Sequence, residues 1–244
     1  MNQLSAKPLL VVVAKEPIPG KVKTRLFPAL TFEEAAALYQ CMIEDRIQEV
    51  VGINDIDLAI AFTPAGARNA FIPFARNGIT LFAQRGKNLG ERLLNIFIDK
   101  LSAGYPAVSI VDSDTPDLPA SAVVESFRLL LAEESDVVFG PCHDGGYYLV
   151  GMRNPHPELF TDIPWSTENV LKATLKKTGE MNLKTELLDW WDDLDTVEDL
   201  MGYYKKYSAG TIINNKRGRK TQTFLSSLKI INQFRVGSES RLTF

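Results

Sequence analysis

The feature that most constrains the fold is the alternation of short, unbroken apolar runs with longer stretches of helical periodicity. Residues 9–13 read Leu-Leu-Val-Val-Val. As a strand, such a run has no polar face to give to solvent and must be buried on both sides. Comparable runs recur at 58–62, 79–82, 107–111, 136–139 and 147–150, with a further candidate at 183–188. Between the first two, Thr31-Phe32-Glu33-Glu34 has the form of a capping box. It precedes Ala35, Leu38 and Met42 on one row and Tyr39, Ile43, Ile47 and Val50 on the next, the spacing of an amphipathic helix. Helical patterns follow at 89–101, 119–131, 165–177 and 196–207. Strand and helix in alternation predict βαβ units and an α/β fold with a mostly parallel sheet. The exception is the step from 136–139 to 147–150, which has no helix between its strands. Its Asp144-Gly145-Gly146 turn predicts one antiparallel strand.

With 244 residues, the chain has length for one sizeable core, expected over 1–207, followed by a basic C-terminal tail over 208–244. Hydrophobic residues at 45% and charged residues at 23% suit a globular protein. No apolar run approaches the roughly 20 residues of a membrane span. The run at 9–14 is too short for a signal-peptide core. Two cysteines, Cys41 and Cys142, are too few for a disulfide scaffold and fit a cytoplasmic location. No Cys/His spacing suits structural zinc. The net charge of −3 conceals an asymmetry. Lys205, Lys206, Lys216, Arg217, Arg219, Lys220, Lys229, Arg235 and Arg241 face only Glu239. A solvated or disordered tail is expected, contact with nucleic acid or anionic lipid being the alternative. The acidic body argues against nucleic acid as the main substrate.

In parallel α/β sheets, ligands bind beyond the carboxyl ends of the strands. Four polar segments follow predicted strand ends. The first, residues 14–26, crowds Lys15, Lys21, Lys23 and Arg25 around Pro17, Pro19 and Gly20, which suits a polyphosphate. Its glycine spacing excludes a Walker P-loop, and a solvated basic loop is the plain alternative. In the second, Asp112-Ser113-Asp114-Thr115-Pro116-Asp117, two carboxylates one residue apart can share a Mg2+ or Mn2+ ion. The alternative is a polar cluster capping the helix near Pro119, a task Asp117 suits. The third, His143-Asp144-Gly145-Gly146-Tyr147-Tyr148, offers glycines for backbone approach and tyrosines to stack on a base or sugar. Asp144 is a candidate general base or sugar-hydroxyl acceptor; a bare hairpin turn over packed tyrosines is the alternative. In the fourth, Asp193 or Asp195 can complete a metal shell, or Asp195 can simply sit near the helix that Thr196 and Asp199 start. His143 and His156 have no partner at ligand spacing.

These pieces, with Asn88-Leu89-Gly90-Glu91-Arg92, Trp165-Ser166-Thr167 and Asp193-Leu194-Asp195-Thr196, occur in order over about residues 8–207. Jointly they resemble the nucleotide-diphospho-sugar transferase superfamily of the glycosyltransferase-A type, in particular its uncharacterised bacterial glycosyltransferase-like branch. The resemblance implies a Rossmann-related, three-layer α/β/α fold with a mixed, mostly parallel central sheet. It implies a nucleotide or nucleotide-sugar substrate, an acceptor it does not identify, and Mg2+ or Mn2+ held by Asp114, with Asp112 and Asp195 assisting. It implies phosphates met by Lys23 and Arg25, with Lys15 in the same loop, and a base approached by Gly86, Leu89, Gly90 and Arg92. Gly145, Gly146 and Tyr147 are candidates to bind the substrate, and Asp144 is a candidate to deprotonate an acceptor hydroxyl. Glycosyl transfer is the leading expectation. Related nucleotidyltransferases carry an Asp-x-Pro step like Asp114-Thr115-Pro116, so pyrophosphate-releasing nucleotidyl transfer, or nucleotide binding without turnover, stays open. The first loop is less glycine-rich than in nucleotidyltransferases.

Overall fold

The computed structural model describes residues 7–76, 78–208 and 217–228. In chain order the strands are β1 (Leu9–Lys15), β2 (Asp57–Thr63), β3 (Thr80–Ala83), β4 (Val108–Val111), β5 (Val137–Pro141), β6 (Tyr147–Met152) and β7 (Thr185–Leu187). The helices are α1 (Phe32–Val50), α2 (Arg68–Phe71), α3 (Leu89–Ser102), α4 (Ala120–Leu131), α5 (Val170–Glu180), α6 (Val197–Ser208) and α7 (Arg219–Ser227). The chain divides into two compact units. One holds the described residues up to Glu16 with Glu49–Ser113 and Leu118–Asp192; the other holds Pro17–Gln48, Asp114–Asp117 and the described residues from Asp193 on.

The first unit contains one seven-stranded sheet in the order β3-β2-β1-β4-β6-β5-β7. All neighbouring pairs are parallel except β4–β6 and β5–β6, so β6 is the single reversed strand, as the Asp-Gly-Gly turn predicts. Alternate side chains serve opposite faces. Leu9, Val11, Ala59, Ala61, Val108 and Ile110 form one core cluster with Leu93, Ile96 and Phe97 of α3 and Leu171 of α5. Full burial of each large apolar side chain there is worth about 1.5–3 kcal/mol. The intervening Ser109 meets Ser126 of α4, Oγ to Oγ 2.7 Å. Gly151 leaves room for that pair, since a Cβ on it would lie 2.5 Å from the Ser109 oxygen. Helices therefore cover both faces of the sheet.

Because six strands run one way, Lys15, Thr63, Ala83, Val111, Pro141 and Leu187 end at one edge of the sheet. The segments leaving that edge carry the polar residues singled out from the sequence. The expected helix at 165–177 begins later, at Val170. Ser166 adopts φ 64°, a left-handed conformation that a helix cannot continue through, and the Thr167 hydroxyl donates to the Pro164 carbonyl at 2.7 Å.

The second unit contains most of α1 together with α6 and α7. Thr31 and Glu34 form the expected capping box at α1, with bonds of 2.8 and 3.1 Å. The solvated-tail expectation does not hold over 217–228, where α7 forms. Its N-cap residue, Gly218, supplies no side chain. Instead the buried Asp45 of α1 accepts the N–H groups of Lys220 (2.9 Å) and Thr221 (2.8 Å), and Lys220 pairs with Glu44. The carboxylate satisfies two orphan donors and meets the positive end of the helix dipole. Lys216, Lys229, Arg235, Glu239 and Arg241 lie outside the described residues, as does most of the stretch where the core domain was expected to end. Asp117 serves α6. It accepts bonds from Lys206 (2.9 Å) and the Tyr207 hydroxyl, and the first α4 N–H, on Ala120, goes to Glu49 at 2.9 Å. Among the described residues no helix is long and apolar enough to cross a membrane.

Asp45→Ala should release α7 at a cost of about 1–2 kcal/mol. Hydrogen exchange at residues 219–227 should then accelerate while the sheet amides stay protected; unchanged exchange there would contradict the capping assignment.

Candidate active site

The chemistry of the second unit centres on Lys23. Its backbone is left-handed (φ 47°, ψ 38°), a conformation that costs a non-glycine residue roughly 1–2 kcal/mol. Its side chain is only 4% exposed. The ammonium Nζ lies 2.8 Å from Oδ1 of Asp114 and 3.4 Å from Oδ1 of Asp195. The exposed Arg25 holds the other Asp195 oxygen at 2.9 Å. Two carboxylates from distant segments thus converge on one cationic atom.

The backbone enforces this convergence. The Leu194 N–H donates to the Asp114 carbonyl at 2.9 Å, tying together the two segments that carry the carboxylates. Arg46, fully buried in α1, donates from Nη2 to the Thr115 carbonyl at 2.8 Å and fixes the turn just past Asp114. At α6, Asp199 takes the capping duty, accepting from the backbone N–H of Thr196 at 2.7 Å and of Asp195 at 3.2 Å. Asp195 is therefore directed at cations rather than at the helix start. Burial alone would lower the Lys23 pKa, but Asp114 and Asp195 outweigh it and hold it above the ordinary lysine range. Burial pushes Asp195 up, while Lys23 and then Arg25 bring it below the ordinary carboxylate range. Hard carboxylate oxygens are also the donor type that Mg2+ or Mn2+ takes, and here the Lys23 ammonium occupies the position between them.

The other predicted residues lie in the first unit, at the carboxyl edge of the sheet. Lys15 ends β1 and is exposed. Asp112 extends the β4–β6 ladder, its N–H donating to the Tyr148 carbonyl at 2.9 Å. Gly86 has φ 141° and passes under the first turn of α3, where a Cβ would sit 2.8 Å from the Arg92 nitrogen. Asn88 caps that helix and Glu91 reaches back to the Lys87 N–H, both at 2.8 Å. Leu89 remains partly exposed, whereas the space over Gly90 is filled by the Phe160 carbonyl and the Trp165 indole. Packing alone accounts for that glycine. Asp144 accepts the Gly146 N–H at 2.8 Å, and Gly145 is pressed against the Glu168 backbone. The tyrosines do not form the expected stacking platform. Tyr148 is 1% exposed and donates to the Asp189 carbonyl at 2.9 Å, while Tyr147 packs against Phe139 and Trp165. One pairing escaped sequence reasoning: Nδ1 of His143 lies 2.6 Å from Oδ1 of Asp192. The two are far apart in sequence, and no local pattern signals their contact.

A family model described as uncharacterized protein conserved in bacteria (DUF2064) matches residues 46–167. A crystal structure from Desulfovibrio desulfuricans G20, of a protein named for a proposed nucleotide-diphospho-sugar transferase activity, is 31% identical over 93% of this chain and 97% of its own, with a TM-score of 0.83. The chain belongs to the DUF2064 family. Gly86–Arg92, Asp112–Asp114 and Asp144–Tyr147 fall inside the matched span, and Lys23, Arg25 and Asp195 outside it. The DUF2064 chain shares its fold with more distant structures. CMP:2-keto-3-deoxy-manno-octonic acid synthetase complexed with CTP is 10% identical over 83% of this chain and 99% of that one, with a TM-score of 0.55. A cytidylyltransferase from Leptospira borgpetersenii serovar Hardjo-bovis is 12% identical over 96% and 94%, with a TM-score of 0.53. No curated protein matches the chain significantly in sequence.

Lys23→Met would leave two carboxylates facing each other without their cation. The expected loss is about 2 kcal/mol, below that of a fully buried pair because both carboxylates remain about one-third exposed to solvent. Since the folded Asp195 pKa is depressed, its stabilisation is present above the unfolded carboxylate pKa and is lost as pH falls through the folded value. Acid unfolding curves should flatten in Asp195→Asn; an unchanged acid slope would contradict the ion-pair assignment.

Proposed function

We propose that this protein is a divalent-metal-dependent transferase acting on a nucleotide-diphospho-sugar, transferring the glycosyl group to a hydroxyl acceptor. The carrying observation is the convergence of Asp114 and Asp195 on the Lys23 ammonium, with Arg25 alongside. Such a cluster combines metal-binding oxygens with cations suited to phosphate, and the name of the Desulfovibrio desulfuricans relative supports the donor class.

Asp114 and Asp195 would hold a Mg2+ or Mn2+ ion, which supplies Lewis-acid charge to the diphosphate when bound. Lys23 and Arg25 bind the phosphates and stabilise the charge that develops as the nucleoside diphosphate departs. Lys15 adds a further cation to phosphate recognition. Gly86, Leu89 and Arg92, around the start of α3, serve the nucleoside. Gly145, Gly146 and Tyr147 shape the turn that presents Asp144 to a sugar hydroxyl. Asp144 retains one carboxylate oxygen beyond the one committed to Gly146.

Incubation with Mn2+ and a panel of nucleotide-sugars should release nucleoside diphosphate. Release of pyrophosphate from nucleoside triphosphates instead would assign nucleotidyl transfer to the same residues. Asp114→Ala should weaken metal-dependent nucleotide binding at least tenfold by calorimetry; undiminished binding would overturn the metal assignment.

A further inference from the structure

The carboxyl edge of the sheet carries a second ordered polar group that the proposed roles leave unused: His143, Asp192 and Trp190. The backbone builds it. β7 runs parallel to β5, and the pairing continues past β7 as the Leu188 N–H donates to the Phe139 carbonyl (2.8 Å) and the Trp191 N–H to the Pro141 carbonyl (3.1 Å). Cys142 bridges Trp191 in parallel, so the next residues along, His143 and Asp192, emerge side by side. The Tyr148 hydroxyl holds the Asp189 carbonyl from below, and Gly140 makes room for that ring, since a Cβ there would meet it at 2.2 Å. The result is the 2.6 Å contact between His143 Nδ1 and Asp192 Oδ1, with the Trp190 ring 5.3 Å from the imidazole and 49% exposed.

We propose that His143 is the general base for the acceptor hydroxyl, oriented by Asp192, and that Trp190 is the platform on which a sugar-like acceptor rests. The inference rests on the transferase reading above. With Nδ1 donating to the carboxylate, a neutral ring keeps the lone pair on Nε2, the state a base requires. Both side chains are well exposed, 63% for His143 and 75% for Asp192, so Nε2 is open to a substrate. An exposed indole supplies a flat apolar face of the kind that suits a sugar ring. β5 stands two strands from β4, about 10 Å at ordinary strand spacing. His143 and Asp112 thus leave the same end of the sheet, two strands apart.

In the step, the acceptor O–H bond breaks and its proton passes to Nε2. The oxygen electron pair forms the new bond to the anomeric carbon. The bond from that carbon to the diphosphate oxygen breaks, and its electron pair leaves with the nucleoside diphosphate. The imidazolium then returns its proton to solvent. Asp144 binds a neighbouring hydroxyl and takes no proton.

The test uses the full chain with Mn2+, UDP-glucose and GDP-mannose as donors and methyl glycosides as acceptors. His143→Ala should lower kcat about 100-fold with the donor KM unchanged, and added imidazole should restore part of the rate. Asp192→Asn should shift the acid limb of the pH–rate profile, and Trp190→Ala should raise the acceptor KM rather than lower kcat. Full transfer by His143→Ala, or a deficit that imidazole leaves untouched while the pH profile stays unchanged, would overturn the assignment and leave the transferase reading standing. If wild-type protein binds nucleotide with Mn2+ in calorimetry but transfers nothing, the transferase reading fails and the base assignment fails with it.

Discussion

A buried ammonium between two carboxylates is stable only while all three groups stay together. Remove Lys23, and Asp114 and Asp195 repel; remove either carboxylate, and the ammonium loses part of what offsets its desolvation. This mutual dependence organises the second unit. It explains why a lysine tolerates a left-handed backbone, since that strain is offset by an ion pair at 2.8 Å that keeps the buried ammonium paired. It also explains why the neighbouring polar groups hold backbone. Arg46 fixes the Thr115 carbonyl, Leu194 fixes the Asp114 carbonyl, and Asp199 relieves Asp195 of capping. Each removes a freedom by which the carboxylates could separate.

The same economy governs the carboxyl edge of the first unit, with ladder register in place of ion pairing. Asp112, His143 and Asp192 are all set by hydrogen bonds that continue strands beyond their last named residue. Glycines at 86, 140 and 145 matter because another group occupies the space a Cβ would need. A surface made this way takes its precision from the sheet.

Much of the site was legible in advance because local chemistry announces itself. Apolar runs marked six of the strands closely, the two capping boxes marked the starts of α1 and α6, and Asp144-Gly145-Gly146 marked the reversal into β6. Asp114, Asp195, Lys23 and Arg25 were singled out as polar residues after strand ends, and four side chains from three separate segments do come together. What escaped depends on contacts between residues far apart. The α7 cap comes from Asp45, about 175 positions earlier, so the polar, basic sequence around it reads as solvated. Tyr147 and Tyr148 look like a binding platform until the hairpin packs them, and His143 looks solitary until β7 brings Asp192 beside it.

By itself, then, the sequence determined the strands and the longer helices up to α6, their order, the reversed strand and the chemical kind of the candidate site. Hydrophobic periodicity, turn chemistry and caps act over a few residues and are written where they act. The tertiary structure alone decided which charges meet, that Lys23 stands between the carboxylates, that Asp117 anchors α6, and that His143 has a partner. Those outcomes depend on strand register and on burial, which raises the strength of an ion pair and the cost of leaving a charge alone. Neither quantity exists until distant segments have been packed together.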